Sequence, residues 1–372
     1  MKKNSNNTIL ALGADVKSRF CIRKNGKLFF SDEFGDLSVI KNFSRFKKAI
    51  DSSRIKPQVL AFDMHPNYFS SRHSDSIPTR KRLPVQHHHA HVASIMASEE
   101  ITSQVIGVAF DGTGYGADGN LWGGEFLVVD KAGYKRMAHF QYMAMPGAEF
   151  AVNQPWRMAF SVLYDSFGET LFKKDLKLLK LHPKKDYDLL VKMIRRGINS
   201  PLTSSVGRLF DAVSSILDIC HIVKFEAQAA IELEKVASKS DDSGLYEFEL
   251  DDKKQPFIIS YRGLIKEIYS DIKNGIPKEA IAKRFHNSLA NVIIKVLNRI
   301  RSEYNIRDVV LSGGVFANKL LLESAKKRIS DSGCNLITSE DVPVNDLSIC
   351  LGQAYIASHS KQFKLKGKIL CV

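Results

Sequence analysis

Short apolar runs that stop at small, flexible residues recur at three places in the chain and predict strands. They are residues 8–12 before a turn at 13–17, residues 105–110 before 111–116, and residues 308–312 before Gly313-Gly314. Apolar runs bounded by such residues are typical of buried strands. Glycine-rich turns also let backbone N–H groups approach a phosphate, because no Cβ stands in the way. The repeated pattern therefore predicts a nucleotide-binding α/β protein.

Apolar positions three and four residues apart predict helices between and after these strands. The helical segments are residues 87–98, 155–167, 206–217, 226–237, 277–301, 319–328 and 346–358. Two strand–turn–strand units and one strand–glycine–helix unit are typical of the two-lobed actin-like ATPase superfold, with a ligand cleft between the lobes. We expect a first α/β lobe at 1–104, joined by the C-terminal helix of 345–372. The second α/β lobe, with helical insertions, is expected at 105–344.

Composition places the chain among ordinary globular proteins. Of its 372 residues, 44% are hydrophobic and 25% are charged, which excludes wholesale disorder. No apolar run approaches the ~20 residues that a membrane span needs, and no signal-peptide pattern opens the sequence. We therefore expect no membrane association and a cytoplasmic location. The five scattered cysteines, without a C-x-x-C pair, argue against a disulfide framework.

The formal net charge is +14, and much of the excess lies in residues 173–196. That segment holds nine Lys or Arg and three Asp, interleaved with leucines. The pattern is typical of surface helices with basic outer faces. A nucleic-acid groove is the alternative, but aromatic side chains do not alternate with the lysines as a base-stacking platform requires. Nucleic acid is therefore a partner that we do not favour.

The most distinctive segment is residues 85–94, where four of the eleven histidines fall within five positions. On a helix, His87 and His91 share one face with Cβ atoms roughly 6 Å apart, which suits two imidazole ligands of one divalent metal. His88 lies about 100° round the helix from His87 and is a poorer candidate. His89 faces away, where it would support the ligands or stack on a bound molecule. A set of hydrogen-bonded core histidines is the less favoured alternative.

Two imidazoles rarely complete a metal site, so carboxylates are expected from elsewhere in the chain. Asp111 is the first candidate, because it ends an apolar strand and opens a turn with Gly112, Thr113 and Gly114 that suits a phosphate or acyl-phosphate. A simple hairpin loop is the competing interpretation of that turn. Asp346 is the second candidate, at a predicted helix start where helix capping is the competing role.

Further positions suggest contacts with a ligand. Asp211 falls inside an apolar helical pattern, where a carboxylate is costly unless it is paired or binds hydroxyl groups. The turn at Glu226-Ala227 has room for a flat ring beside a helix start, although Glu226 would also suit the helix dipole. Asn318 can both donate to and accept from a ribose or a base.

Eight segments, in order, carry a resemblance that covers nearly the whole chain. They read FDMHPNYFSSR, VQHHHAHVAS, AFDGTGYGADGNLWGGEF, MPGAEFAVNQPWRMA, SSVGRLFDAVSSIL, FEAQAAIELE, LSGGVFANKLLLE and VPVNDLSICLGQA. With these segments the chain closely resembles the C-terminal domain of the HypF-type hydrogenase-maturation carbamoyltransferases. That family is similar in turn to the tRNA threonylcarbamoyladenosine transferases and to the antibiotic O-carbamoyltransferases.

The resemblance implies one divalent metal, iron or zinc, held by His87, His91, Asp111 and Asp346. The metal would hold phosphate or carbamoyl oxygens of a carbamoyl-adenylate. The resemblance also implies that ATP or carbamoyl-adenylate is bound by a further set of matching positions. These are Lys17, Gly112, Thr113, Gly114, Asp211, Glu226, Ala227, Gly313, Gly314 and Asn318.

The implied reaction moves a carbamoyl group, derived from carbamoyl phosphate and ATP, from carbamoyl-adenylate to the C-terminal cysteine of a HypE-like maturation protein. The product is the precursor of the cyanide ligands of nickel–iron hydrogenase. The chain's own motifs contain no obvious nucleophile, so we expect direct transfer, with His89 as a base for the incoming thiol.

Two departures from the family pattern change these expectations. The family usually reads Asn-Asp-Gly-Gly and Glu-Gly-Gln where this chain has Asn-Asp-Leu-Ser at 345–348 and Glu-Ala-Gln at 226–228, so added side chains are expected to narrow the pocket. Full-length members also carry an acylphosphatase-like domain, a Cys-rich zinc region and an adenylate-forming domain, which have no counterpart in this sequence. We therefore expect a separate adenylate-forming domain acting in trans, or a split-gene product.

Two other functions stay open from the sequence. A tRNA threonylcarbamoyladenosine-type transferase fits the basic surface, although the triple histidine and the Asp-Gly-Thr-Gly segment favour the hydrogenase branch. A nucleotide-binding scaffold without turnover fits the absence of an adenylate-forming segment.

Overall fold

The computed structural model describes residues 8–131 and 133–360, which form two β-sheets with helices around and between them. The first sheet has five strands in the order β3-β2-β1-β4-β5. They are β1 (Ile9–Ala11), β2 (Cys21–Lys24), β3 (Lys27–Phe30), β4 (Val59–Asp63) and β5 (Lys81–Val85). Because β1 pairs antiparallel with β2, the predicted strand–turn–strand unit at the start of the chain is confirmed.

The second sheet has nine strands, with a main path β11-β12-β8-β7-β6-β13-β14; off this path, the short strand β10 pairs with β7, and β9 pairs with β10. They are β6 (Val105–Tyr115), β7 (Leu121–Asp130), β8 (Gly133–Phe140), β9 (Met143–Ala144), β10 (Leu202–Thr203), β11 (Glu249–Asp251), β12 (Phe257–Ser260), β13 (Asp308–Ser312) and β14 (Asn335–Ile337). The β6 side chains alternate between two buried clusters, so both faces of this strand are covered.

Twelve α-helices lie among the described residues. They are α1 (Ile40–Ser52), α2 (Phe69–His73), α3 (His87–Ser98), α4 (Glu149–Asn153), α5 (Pro155–Phe167), α6 (Lys184–Arg196), α7 (Val206–Ile216), α8 (Gln228–Ala237), α9 (Arg262–Lys273), α10 (Lys278–Tyr304), α11 (Lys319–Asp331) and α12 (Ile349–His359). The predicted α/β class and all seven predicted helices are confirmed. Within this part of the chain, no helix has the length and apolarity to cross a membrane. The division into lobes at 104 and 344 stays a prediction, and its last residues, 361–372, lie outside the described range.

Helices α3 and α12 pack against each other between the two sheets. Their side chains share one cluster with β1 and another with β6 and β13. Ten of the twelve α3 residues are buried, so neighbours cover this helix on nearly every side, although its alternation of histidine and apolar positions is the pattern of an amphipathic helix. The close approach depends on Gly352, because a Cβ there would lie 1.9 Å from the carbonyl oxygen of Ala90.

We expect Gly352→Ala to destabilise the protein, because the added methyl group meets the backbone of a buried helix that has no room to move. The expected loss is about 3 kcal/mol in the free energy of unfolding, measured by urea denaturation. Gly133→Ala is the matched control, because its Cβ would have no neighbour within 4 Å among the described residues. Equal stability of the two variants would contradict the close packing of α3 and α12.

Candidate metal centre and ligand cleft

Helix α3 begins where Gln86 caps it, with the side-chain oxygen accepting from the backbone N–H of His89 at 2.8 Å. This start places His87 and His91 one turn apart with ring centroids 4.9 Å from each other. Both Nε2 atoms are buried and lack a hydrogen-bond partner among the described residues. Two orphaned imidazole nitrogens on one helix face are costly unless a ligand satisfies them.

Asp111 lies inside β6, which runs on to Tyr115 with a shift of register between Phe110 and Gly114. The predicted turn at 111–114 is therefore wrong: the segment is a bulged strand, and the bulge re-aims the carboxylate. Its Oδ1 accepts from the backbone N–H of Gly314 at 3.0 Å. Its Oδ2 lies 3.4 Å from His87 Nε2 and 3.6 Å from His91 Nε2.

Asp346 reaches the same point from the turn before α12. Its Oδ1 lies 3.6 Å from His87 Nε2 and 3.5 Å from His91 Nε2. The capping role that competed for Asp346 belongs instead to Asn345, whose side-chain oxygen accepts from the backbone N–H of Leu347. The Asp346 carboxylate is therefore available to a ligand.

One ligand atom from each of the four predicted residues lies within 4.8 Å of the other three. The imidazole-to-carboxylate distances of 3.4–3.6 Å are too long for good hydrogen bonds. Four atoms about 2.1 Å from one ion in tetrahedral geometry are separated by roughly 3.4 Å. The donor set of two nitrogens and two oxygens also suits iron, zinc or manganese. The residues present therefore fit the implied metal.

Asp63 is a site residue that sequence reasoning missed. Its Oδ2 lies 2.7 Å from His87 Nδ1, and both side chains are fully buried. Its Oδ1 accepts from the backbone N–H of His65. A carboxylate on the far nitrogen fixes the tautomer and the direction of a ligand imidazole. The available signal was an aspartate at the carboxyl end of a buried strand.

The charges of this cluster support one another. Burial lowers the pKa of His87, but the charge of Asp63 and the carboxylates of Asp111 and Asp346 outweigh it, and the pKa is raised well above its ordinary value. Burial raises the pKa of Asp111, but His87 and His91 reverse this and hold it well below its ordinary value. The ionised carboxylates are therefore favoured by positive charge beside them. When the imidazoles bind a metal they are neutral, and the metal ion then provides that positive charge.

The other two histidines of α3 are not part of the group of four ligand atoms, although the His88 ring lies 5.4 Å from the His87 ring. His88 Nδ1 lies 3.1 Å from Gln86 Nε2, and burial followed by the charge of His87 lowers the pKa of His88 to about 3. The His89 ring lies beside Tyr134, with centroids 5.0 Å apart, and burial lowers the pKa of His89 to about 4. The structure does not bring His89 to the cluster, so its role as a base stays a prediction without geometric support.

The small residues of the 111–114 segment differ in their surroundings, and Gly114 is the one that acts through close packing. A Cβ on Gly114 would lie 2.8 Å from His87 Cδ2 and 2.6 Å from His88 Cε1, so this glycine lets β6 lie directly against α3. Gly112 has open space around it, and its carbonyl accepts from the Ser205 hydroxyl. Thr113 is partly exposed beside it.

A cleft of about 500 Å³ lies between the two halves of the molecule. Lys17 approaches it from the first half and Glu226 from the second, and their side chains pair across it at 2.8 Å. Ala227 follows with a left-handed backbone, φ 60°, a conformation that favours glycine. Because α8 begins only at Gln228, Glu226 lies outside the helix.

Asp211 lines the same cleft from α7, together with Arg208, a second residue that sequence reasoning missed. Arg208 Nη2 lies 2.9 Å from Asp211 Oδ2, yet neither Asp211 Oδ2 nor Arg208 Nε has a well-aligned hydrogen bond within the described range. Burial raises the pKa of Asp211 to about 6, against the lowering effect of Arg208. Gly207, on the same helix, packs against Gly112 and the backbone of Asp111. This side of the cleft therefore adjoins the candidate metal centre.

Gly313, Gly314 and Asn318 are not among the residues that line this cleft. Gly313 has φ 100°, and a Cβ would lie 2.3 Å from the Phe110 carbonyl oxygen. The N–H of Gly314 is already used by Asp111. Asn318 caps α11 through Oδ1, while its Nδ2 lies 3.0 Å from His286 Nε2. Of these three residues, Gly314 alone contacts a residue of the centre, Asp111, and the contact of all three with a nucleotide stays a prediction.

Two family models match the chain. The model of the second subdomain of the Kae1-like carbamoyltransferase domain matches residues 107–353, and the HypF Kae1-like domain model matches residues 4–98. The carbamoyltransferase HypF of Synechocystis sp. is 33% identical over 98% of this chain and 49% of its own length. A carbamoyltransferase HypF homolog of Cupriavidus necator is 31% identical over 94% of this chain and 91% of its own length.

Solved structures agree with these matches. A full-length HypF in the phosphate- and nucleotide-bound form superimposes with a TM-score of 0.90 and 38% identity, covering 96% of this chain and 56% of that one. A tRNA N6-adenosine threonylcarbamoyltransferase of Thermosipho africanus is 27% identical over only 35% of this chain. The chain spans about half the length of several full-size HypF relatives. It belongs to the HypF carbamoyltransferase family, in which it corresponds to the Kae1-like domain of the actin-like ATPase fold.

Proposed function

We propose that this chain is a carbamoyltransferase that binds one divalent metal, iron or zinc, through His87, His91, Asp111 and Asp346. The observation that carries the proposal is the meeting of four donor atoms from α3, β6 and the turn before α12 at the spacing of a shared ion, with His87, His91 and Asp111 buried and Asp346 partly exposed. Family membership supports the same reaction class. A divalent ion held there would polarise an oxygen of carbamoyl-adenylate and stabilise the charge that develops on the leaving phosphate.

The protein's own part at the centre is to fix the ligands before substrate arrives. Asp63 holds the His87 ring through Nδ1, so that Nε2 faces the other three ligands. The backbone N–H of Gly314 holds one oxygen of Asp111 and leaves the other for the ion. Ligands fixed in this way need little reorganisation on binding.

The cleft would hold ATP or carbamoyl-adenylate. Asp211 has a carboxylate oxygen without a well-aligned hydrogen bond, which suits a ribose hydroxyl as donor. Lys17 pairs with Glu226 in a partly exposed position, where such pairs are weak. A phosphate can therefore displace Glu226 from Lys17 at small cost.

The proposed acceptor is the C-terminal cysteine of a HypE-like maturation protein, with direct transfer of the carbamoyl group to its thiolate. An adenylate-forming domain would supply carbamoyl-adenylate, as the sequence resemblance implies. A tRNA threonylcarbamoyladenosine-type reaction is the second candidate, favoured by the net charge of +14 and by the partial match to a tRNA-modifying enzyme.

His91→Ala removes one imidazole from the centre. We expect metal affinity to fall by more than about 100-fold, beyond the range typical of residues that only orient a ligand, and carbamoyl transfer to fall with it. Metal content is measured by mass spectrometry after dialysis, beside transfer from supplied carbamoyl-adenylate. His221→Ala is the control, because His221 lies in a partly exposed pair with Asp218. Unchanged metal content in His91→Ala would contradict the ligand set.

Asp63→Asn keeps the shape of the side chain but removes the charge beside His87. We expect metal affinity to fall about 10- to 100-fold, less than for loss of a ligand, with the fold retained. Competition against a fluorescent chelator measures the affinity. Asp51→Asn, an exposed change on α1, should leave it unaltered. An Asp63→Asn protein with the affinity of the original would show that the His87 ring does not depend on this carboxylate.

Asp211→Asn tests the nucleotide side of the cleft without changing the size of the side chain. We expect the affinity for ATP, measured by calorimetry, to fall roughly tenfold, because a charged acceptor for ligand hydroxyls is lost. Metal affinity should stay the same. Asp175→Asn, which breaks only an exposed pair with Lys180, is the control. The cleft assignment is refuted if ATP binds both variants and the parent protein equally well.

A further inference from the structure

A stripe of exposed basic and apolar side chains crosses the second half of the molecule, and the proposed function does not use it. We call it the α6 stripe. It consists of Lys185, Leu189, Lys192, Arg196, Ile198 and Phe150.

Helix α6 presents four of these side chains on one face. Positions 185, 189, 192 and 196 follow a spacing of four, three and four residues, which keeps them aligned along the helix. The opposite face, with Tyr187, Leu190 and Val191, is buried against the core. Leu189 is 57% exposed in the middle of the basic face. The exposed leucine is therefore not part of the helix packing.

The stripe continues from the end of α6 to the rim of the cleft. Ile198, 54% exposed, is held by a bond from its N–H to the Met193 carbonyl. The next residue, Asn199, accepts from the N–H of Gly147, and the Gly147 carbonyl accepts from the N–H of Phe150. Phe150 is 61% exposed on α4. Two and three residues further along α4, Val152 and Asn153 line the cleft.

The cations of the stripe form no described ion pair. Lys185, Lys192 and Arg196 have no carboxylate partner among residues 8–131 and 133–360. Neighbouring cations of the same region do have partners: Arg195 pairs with Glu169, and Lys177 pairs with Asp218. The stripe thus combines three free positive charges with three large apolar side chains, beside the opening where the reaction would take place.

We propose that the α6 stripe docks the protein that accepts the carbamoyl group, and that the docking face of this acceptor is acidic with an apolar centre. The inference rests on the proposed transferase function. Contiguous exposed apolar groups rimmed by charge mark protein contact surfaces, and complementary charge steers such encounters. A nucleic acid fits less well, because Leu189 and Ile198 are aliphatic and Phe150, at the end of the stripe, is its one ring for base stacking.

The test compares an intact acceptor with a fragment that carries only the reacting end. Carbamoyl transfer is measured to a purified HypE-like protein and to a synthetic peptide of its last ten or so residues. For the double variant Leu189→Asp, Ile198→Asp, we expect KM for the intact protein to rise about tenfold or more, with transfer to the peptide unchanged. Ile40→Asp, at a highly exposed position on α1, is the matched control and should change neither.

Direct binding of the HypE-like protein, measured by calorimetry without nucleotide, separates this inference from the proposed reaction. Weaker binding of the HypE-like protein to the double variant than to the parent protein supports the docking surface, whether or not the parent protein transfers a carbamoyl group. If the parent protein transfers nothing, the proposed function is contradicted and the docking surface is not. Equal loss of transfer to intact acceptor and peptide, or unchanged KM for both, overturns the inference. So does a double variant that loses only the binding of tRNA.

Discussion

The site depends on one constraint: the imidazoles and carboxylates that lie between the two sheets must compensate each other's charge. Two imidazoles on α3 and two carboxylates from β6 and the turn before α12 meet where water is largely excluded. Buried carboxylates without positive charge nearby would be severely destabilising. The four groups therefore need each other, or a shared cation, and the packing of α3 against α12 brings them together. Gly352 and Gly114 make that packing close enough.

The cleft and the candidate metal centre adjoin each other at the start of α7. Arg208 and Asp211 stand on α7, and Gly207 at the start of that helix packs on Gly112, next to the ligand Asp111. In the binding mode that we propose, a nucleotide in the cleft presents its phosphate end toward the candidate metal centre while its ribose meets Asp211. The cleft rim on α4 continues in the α6 stripe, so a partner bound there would approach the same opening.

Local patterns in the sequence predicted the helices and one half of the metal centre. The i, i+4 spacing fixed His87 and His91 on one face, because helical geometry is periodic. Asp111 and Asp346 were predicted as partners, yet the chain path around Asp111 was wrong, since nothing local distinguishes a glycine-rich bulge from a turn. Asp63 and Arg208 were missed, because the periodicity of apolar residues does not indicate contacts between segments that are distant in the sequence. The placement of His89 beside Tyr134 likewise depends on tertiary packing.

X-ray absorption spectroscopy of the metal-loaded protein tests the metal centre most directly, because it reports the atoms bound to the ion without reference to activity. The result expected from the structure is one ion per chain with two imidazole nitrogens and two carboxylate oxygens, and loss of this signature when His87 and Asp346 are both replaced. Sulfur ligands, a shell of oxygen alone, or a spectrum that the double replacement leaves intact would contradict it.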